Sequence, residues 1–177
     1  MRRGTSTRYA RECTQTFSEK MPSIMEILAR PPEGDTIQDE FNRFLAIARE
    51  YGWDKLKVMF GFAWGNDIYN QDWLEEVMSP SELEHKVREA EDSGFGSICD
   101  DDLYVAVTNL EVEFTFCHEN DIHISGAKDS SFIQSEKIRF LDLGWDVFER
   151  IKDTSRNIEW TPINREQAGG GDRIQVS

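Results

Sequence analysis

An α+β fold built on an antiparallel sheet is what this 177-residue sequence predicts, from three observations. Apolar residues alternate through Leu103, Val105 and Val107, through Leu110, Val112, Phe114 and Phe116, and through Ile122 and Ile124, the period of half-buried strands. Ile37, Phe41, Phe44, Leu45, Ala48 and Tyr51 recur at helical spacing. Helical and strand segments are grouped rather than strictly alternating, which favours helices packed on an antiparallel sheet.

Taken in order, residues 1–20 are polar, mildly basic and without period, and are expected to be a disordered extension, with Met21 or Met25 as a possible natural start. A single domain is expected over 21–165, with a flexible glycine-rich tail over 166–177. Ser23–Ala29 reads as a short helical stretch stopped by Pro31 and Pro32. Gly34 and Asp35 turn the chain, and Thr36, with Asp39 three residues on, is expected to cap the long amphipathic helix that ends at Gly52. A strand over about 56–62 follows from Leu56, Val58, Phe60 and Phe62. Trp73, Leu74 and Val77 suit a helical turn. Ser79-Pro80-Ser81-Glu82 carries a capping box with proline at the first helical position. Leu83, Val87 and Ala90 form the buried stripe of that helix and Gly94 stops it. The strands over about 103–125 form a meander. Val147, Phe148 and Ile151 suggest a helix after Gly144, and Ile158–Trp160 a last strand before Pro162. Trp53, Trp64 and Trp73 flank the first predicted strand, and core packing is expected for at least two of them.

The apolar pattern sets the meander's register. A two-residue turn at Thr108-Asn109 would pair Val107 with Leu110 and Val105 with Val112. A three-residue loop, Glu119-Asn120-Asp121, would pair Phe116 with Ile124 and His118 with Ile122; Asn and Asp suit its left-handed positions. The opposite face would then display Asp102, Tyr104, Glu111, Glu113, Cys117 and His123. Glu111 and Glu113 would stand about 7 Å apart on one strand, a carboxylate row in want of a counter-charge.

Charge is the dominant compositional feature. The formal net charge is −14. Residues 1–20 carry five basic and two acidic side chains, leaving −17 on the rest. From Glu89 to Ala127 there are ten acids and no lysine or arginine. Such a surface repels phosphate backbones and anionic membranes and attracts basic proteins. No apolar run approaches the ~20 residues of a membrane span, and no apolar stretch follows the N-terminal charges as a secretory signal requires. The cysteines, Cys13, Cys99 and Cys117, are odd in number and unpaired in spacing, as expected of free thiols in a reducing cytoplasm.

Cys117-His118-Glu119-Asn120-Asp121-Ile122-His123 has metal-ligating residue types, but the expected register points His118 and His123 to opposite faces, leaving them weak candidates. Asp100, Asp101 and Asp102 with Glu111 and Glu113 have the acids of a metal-dependent nuclease without the lysine that would steady its phosphate. Two acids on one strand do not face each other across a glycoside. A Cys–His dyad lacks any sign of thiol activation, and no glycine-rich phosphate loop is present. No cofactor is expected.

With its Glu89–Ala127 acid run and the displayed Tyr104, Glu111 and Glu113, the chain resembles, as a class, the immunity proteins of bacterial toxin systems; no motif of a particular family is matched. The resemblance implies a cytoplasmic non-enzyme that covers a basic, secreted or contact-dependent toxin. Asp100, Asp101, Asp102, Tyr104, Glu111 and Glu113 would be the partner-binding residues. The alternatives are a nucleic-acid mimic or regulatory adaptor, and an enzyme of unrecognised type. A pocket uniting His123, Cys117 and Glu111 would favour catalysis.

Overall fold

The computed structural model describes residues 23–61, 64, 74–152 and 160–163. The elements are β1 (Ile24–Arg30), α1 (Gln38–Glu50), β2 (Leu56–Phe60), β3 (Glu76–Met78), α2 (Pro80–Ser93), β4 (Leu103–Val107), β5 (Val112–Cys117), β6 (Asp121–Ala127), α3 (Ser131–Asp142), β7 (Asp146–Lys152) and β8 (Thr161–Ile163). The strands make one sheet in the order β3-β2-β4-β5-β6-β1-β7-β8. Every neighbouring pair is antiparallel, so the fold is α+β.

The connections determine where the helices go. Counting antiparallel steps, β1 and β2 run the same way, as do β3 and β4, and β6 and β7; each pair is joined through one helix. A crossover between parallel strands of one sheet is right-handed. The β3–α2–β4 and β6–α3–β7 crossovers step toward the β8 edge. The β1–α1–β2 crossover starts from a reversed strand and steps toward the β3 edge. A half-turn about the sheet normal interconverts the two cases, so one handedness places all three helices on one face. Burial agrees: Ile27, Val58, Val105, Phe114, Phe116, Ile122 and Ile124 of the sheet meet Phe41, Phe44, Leu45, Leu83, Val87, Ile133 and Phe140 of the helices in one core.

Aromatic rings fill its centre. Phe41 and Phe116 pack edge to face at 5.3 Å, and Phe44 lies 4.9 Å from Phe114. Trp53 and Trp64 are buried in the same core, and Trp73 lies outside the described residues. Over the core, α1 and α3 are tied by carboxylates and guanidinium groups. Arg43 donates twice to Glu136, at 2.8 and 3.0 Å, and Arg139 donates twice to Glu40, at 2.6 and 2.9 Å. Bidentate pairs of this kind fix orientation as well as distance.

Several expectations are corrected. Residues 24–29 are not helical: they lie in β1, paired with β6 on one side and β7 on the other. Met25, Ile27 and Ala29 face the helices, while Glu26 and Leu28 on the opposite side are also buried. A strand covered on both faces loses its alternation and reads as a continuous apolar run. The helix expected after Gly144 lies before it, as α3, and residues 146–152 are strand β7. Gly144 has φ 79, the left-handed conformation that ends a helix. Residues 76–78 are an edge strand, with Leu74 and Val77 exposed. β8 contains Pro162, tolerated because the strand is at the sheet edge. Helix α1 starts after Ile37, and Thr36 does not cap it; the Ile37 amide donates to Asn120 Oδ1 of the β5–β6 loop at 3.1 Å. The capping box of α2 and its Gly94 stop are as expected.

Both hairpins of the meander are displaced by two residues from the expected register. Val107 pairs with Val112 and Val105 with Phe114 across a four-residue turn. Phe114 pairs with Ile124 and Phe116 with Ile122 across the loop 118–120. An even shift keeps each strand residue on its expected face, so the apolar pattern is satisfied by both registers. Leu110 and Glu111, expected in the strand, fall in the turn instead. Asn120 is left-handed, with φ 58, as its residue type suggested.

Gly126 marks a tight point. A Cβ there would lie 2.8 Å from Ile133 Cδ1 and 2.9 Å from the Glu111 carbonyl oxygen. Gly126→Ala is therefore expected to cost about 1–3 kcal/mol by overpacking, read as a lower denaturation midpoint; an unchanged midpoint would contradict this packing.

Candidate functional site

With the helices on one side, the other sheet face is left largely to polar side chains. Register aligns Lys57, Ala106, Glu113, Ser125, Glu26 and Arg150 in one row, and Met59, Tyr104, Thr115, His123, Leu28 and Phe148 in the next. Beyond them lie Asp102, Cys117, Asp121 and Arg30.

The face divides into two parts. Around β1 the acids are matched by the protein's own cations. Glu26, only 5% exposed, accepts from Arg150 Nε at 2.5 Å and lies 3.1 Å from Lys152 Nζ and 3.2 Å from His123 Nδ1. Burial by itself would raise the Glu26 pKa, but hydrogen bonds from His123, Arg150 and Lys152 outweigh it and hold the carboxyl at about 2. Trp160 packs against two of these partners, with the Arg150 guanidinium 4.3 Å over its ring and the His123 ring T-shaped to it at 5.6 Å.

At the end of the sheet near the β5–β6 loop, Asp121 is fully buried and Arg30 donates to its Oδ2 at 3.0 Å. Its Oδ1 has no hydrogen-bond partner among the described residues, although His123 Nε2 lies 3.2 Å away without hydrogen-bond alignment. Burial opposes a charge on His123, yet Asp121, Cys117 and Glu26 overcome it and push its pKa up to about 11. Asp102 accepts from the Tyr104 hydroxyl at 2.9 Å, from the His118 amide at 3.0 Å and lies 2.8 Å from His118 Nδ1. Burial would raise Asp102, but these hydrogen bonds lower it below its ordinary value. Burial and the Asp102 bond carry Tyr104 up to about 12.

Cys117 stands between the two histidines. The group Asp102, Cys117 and His118, and the group Cys117, Asp121 and His123, each present ligand-type atoms within 4.8 Å of one another. The expectation that His118 and His123 point to opposite faces is thus corrected: His118 lies in the loop, not in the strand, and both rings approach the same thiol. As an acid–base pair the arrangement is poorly set. Burial raises the Cys117 thiol pKa, and a protonated His123 has no lone pair with which to take its proton. Glu111 is at the other end of β5, roughly 20 Å away along the strand, so no site unites it with Cys117 and His123. Asp102 is level with Cys117, so a similar distance divides it from Glu111, and about 13 Å divides it from Glu113.

The second part of the face is different. Glu113 is exposed and has no ion pair among the described residues. The nearest cation in its row, Lys57, is two strands away and bonds Glu75 at 2.9 Å. Arg150 and Lys152 are held on Glu26. Lys86 and Arg88, the basic residues between 58 and 127, contact Glu76 and Glu84. Small side chains, Ala106 and Ser125, flank Glu113, and a shallow hollow of about 380 Å³ is bounded by these residues with Lys57, Ile24 and Glu111. Glu111 is not Glu113's neighbour on a strand, as expected, but a turn residue with φ 52 on the rim of the same hollow. Of the other expected partner-binding residues, Asp100 accepts from Ser97 at 2.7 Å and Asp101 Oδ1 accepts from the Asp102 amide at 2.7 Å. The Glu26 cluster was missed in the sequence; the signal was there, as a lone acid inside the apolar run Ile24–Ala29.

Comparison of the chain with protein-family models, with curated proteins and with solved structures finds no match. No helix among the described residues is long and apolar enough to cross a membrane.

The lowered pKa gives Glu26 a signature in acid. A depressed carboxyl contributes stability that is complete above its ordinary value of 4.5 and is lost as pH falls toward about 2. In metal-free buffer, Glu26→Gln should lower stability at neutral pH by about 3 kcal/mol, because three cations lose their anion. It should also flatten the stability–pH curve between 4.5 and 2 relative to wild type. Parallel curves would show that Glu26 does not govern this window.

Proposed function

We propose that this chain is an acidic binding protein that neutralises a basic toxin, with the Glu113 hollow as the point of engagement. The observation that carries the reading is a bare carboxylate on an open sheet face, in a protein whose nearby cations are committed to other acids. Desolvating such a group is costly unless an opposite charge arrives with the surface that covers it. An arginine or lysine entering between Ala106 and Ser125 would meet Glu113 below and Glu111 at the rim. The −14 net charge adds long-range attraction, which speeds encounter and weakens with salt.

The expected partner-binding set narrows on this reading. Asp102 and Tyr104 are bonded to each other, and Asp102 also to His118, so a partner would have to displace internal contacts to use them. Glu111 and Glu113 need no such exchange. No chemistry is assigned to the hollow.

The test is a growth assay. Basic toxin candidates encoded beside this gene are expressed with the wild-type chain or with a Glu111→Lys/Glu113→Lys variant. The wild type is expected to restore growth and to bind one candidate with salt-sensitive affinity. The double variant should keep its thermal midpoint, because both positions are exposed, and lose at least ~100-fold in affinity. Equal protection by the double variant would remove the hollow from the interface.

A further inference from the structure

Independently of that reading, we propose that Cys117, Asp121 and His123 form a site for a single zinc-class divalent ion, bound through Cys117 Sγ, Asp121 Oδ1 and His123 Nε2. Thiolate, imidazole and carboxylate together are the donor set of zinc rather than of calcium or magnesium, which select oxygen alone.

Four observations converge on it. First, the three ligand atoms already lie within 4.8 Å of one another. Ligands around a tetrahedral zinc stand roughly 3.5 Å apart, and His123 Nε2 and Asp121 Oδ1 are at 3.2 Å. Second, Asp121 is fully buried, and its Oδ1 lacks a hydrogen-bond partner among the described residues. The cation facing that oxygen is the His123 ring, whose Nε2 is 3.2 Å away without hydrogen-bond alignment; a metal ion bound by both atoms would take the place of the ring proton and satisfy the buried carboxylate oxygen directly. Third, the supporting contacts are those of a metal centre. His123 turns Nδ1 toward Glu26 Oε1 at 3.2 Å, which leaves Nε2 for the ion. Arg30 holds Asp121 Oδ2 at 3.0 Å, leaving Oδ1. Fourth, the ligands are on rigid backbone: Cys117 and Asp121 are cross-strand partners at the closed end of the β5–β6 hairpin, and His123 is two residues along β6.

Three protein ligands leave a fourth position. His118, with Nδ1 3.8 Å from Sγ, is bonded to Asp102 and is not assigned as a ligand. Metal binding takes the thiolate and the free imidazole nitrogen, so it releases protons and tightens as pH rises.

Cobalt(II) titration of the full-length chain tests this. Wild type is expected to bind one equivalent, with a thiolate-to-cobalt charge-transfer band and the visible bands of a tetrahedral ion, both bleached by added zinc. Cys117→Ser, near-isosteric at a side chain with little exposure, should keep the far-ultraviolet spectrum and abolish the charge-transfer band. Asp121→Asn should weaken binding ~10–100-fold, and His118→Ala should leave the band in place. Should Asp121→Asn fail to fold, Cys117→Ser and His118→Ala still decide the matter. The assignment is overturned if wild type shows no band, if Cys117→Ser retains it, or if His118→Ala removes it.

Discussion

The handedness of three crossovers is the constraint on which this structure rests. Each helix joins parallel strands of the same sheet, and a right-handed path sends all three to one side. The core then has one layer of helices and one sheet, and the second sheet face receives no helix among the described residues. Everything distinctive about the molecule follows from that second face: its largely polar lining, the buried Glu26 group beside Trp160, and its bare glutamate.

Position relative to β1 sorts the acids of that face. β1 is sixth of eight strands, with neighbours on both sides. Its outer side chains are buried, so Glu26 must be neutralised on the spot, and Arg150, Lys152 and His123 do so. Two strands away, Glu113 is exposed, water screens it, and no internal cation is required. The same residue type is therefore structural in one row position and available in another. The difference lies in burial, not in chemistry.

Much of the fold was legible along the chain. The capping box at Ser79 and Glu82, the stripe of α1 and the alternation of β4 to β6 are local signals, and each led to the right element. Where local signals failed, the reason was burial or parity. β1 and β7 carry apolar residues on both sides, and a run such as Ile24-Met25-Glu26-Ile27-Leu28-Ala29 suits a helix or a two-sided strand equally. The hairpins were displaced by two because a period of two leaves every strand side chain on the same face after an even shift. That shift altered the site nonetheless: it put Glu111 in a turn and brought His118 to the thiol from which it had been separated.

Alternation and capping follow from neighbours a few residues apart, and so residue order alone established the helices, the meander, the acid surplus and the side of each strand that is apolar. Which acids are neutralised, which thiol lies between two histidines and which glutamate stays bare depend on contacts between residues far apart in sequence, such as the 124 residues between Glu26 and Arg150. Charge matching acts through space over a few ångströms, and only the folded sheet brings those partners within that range.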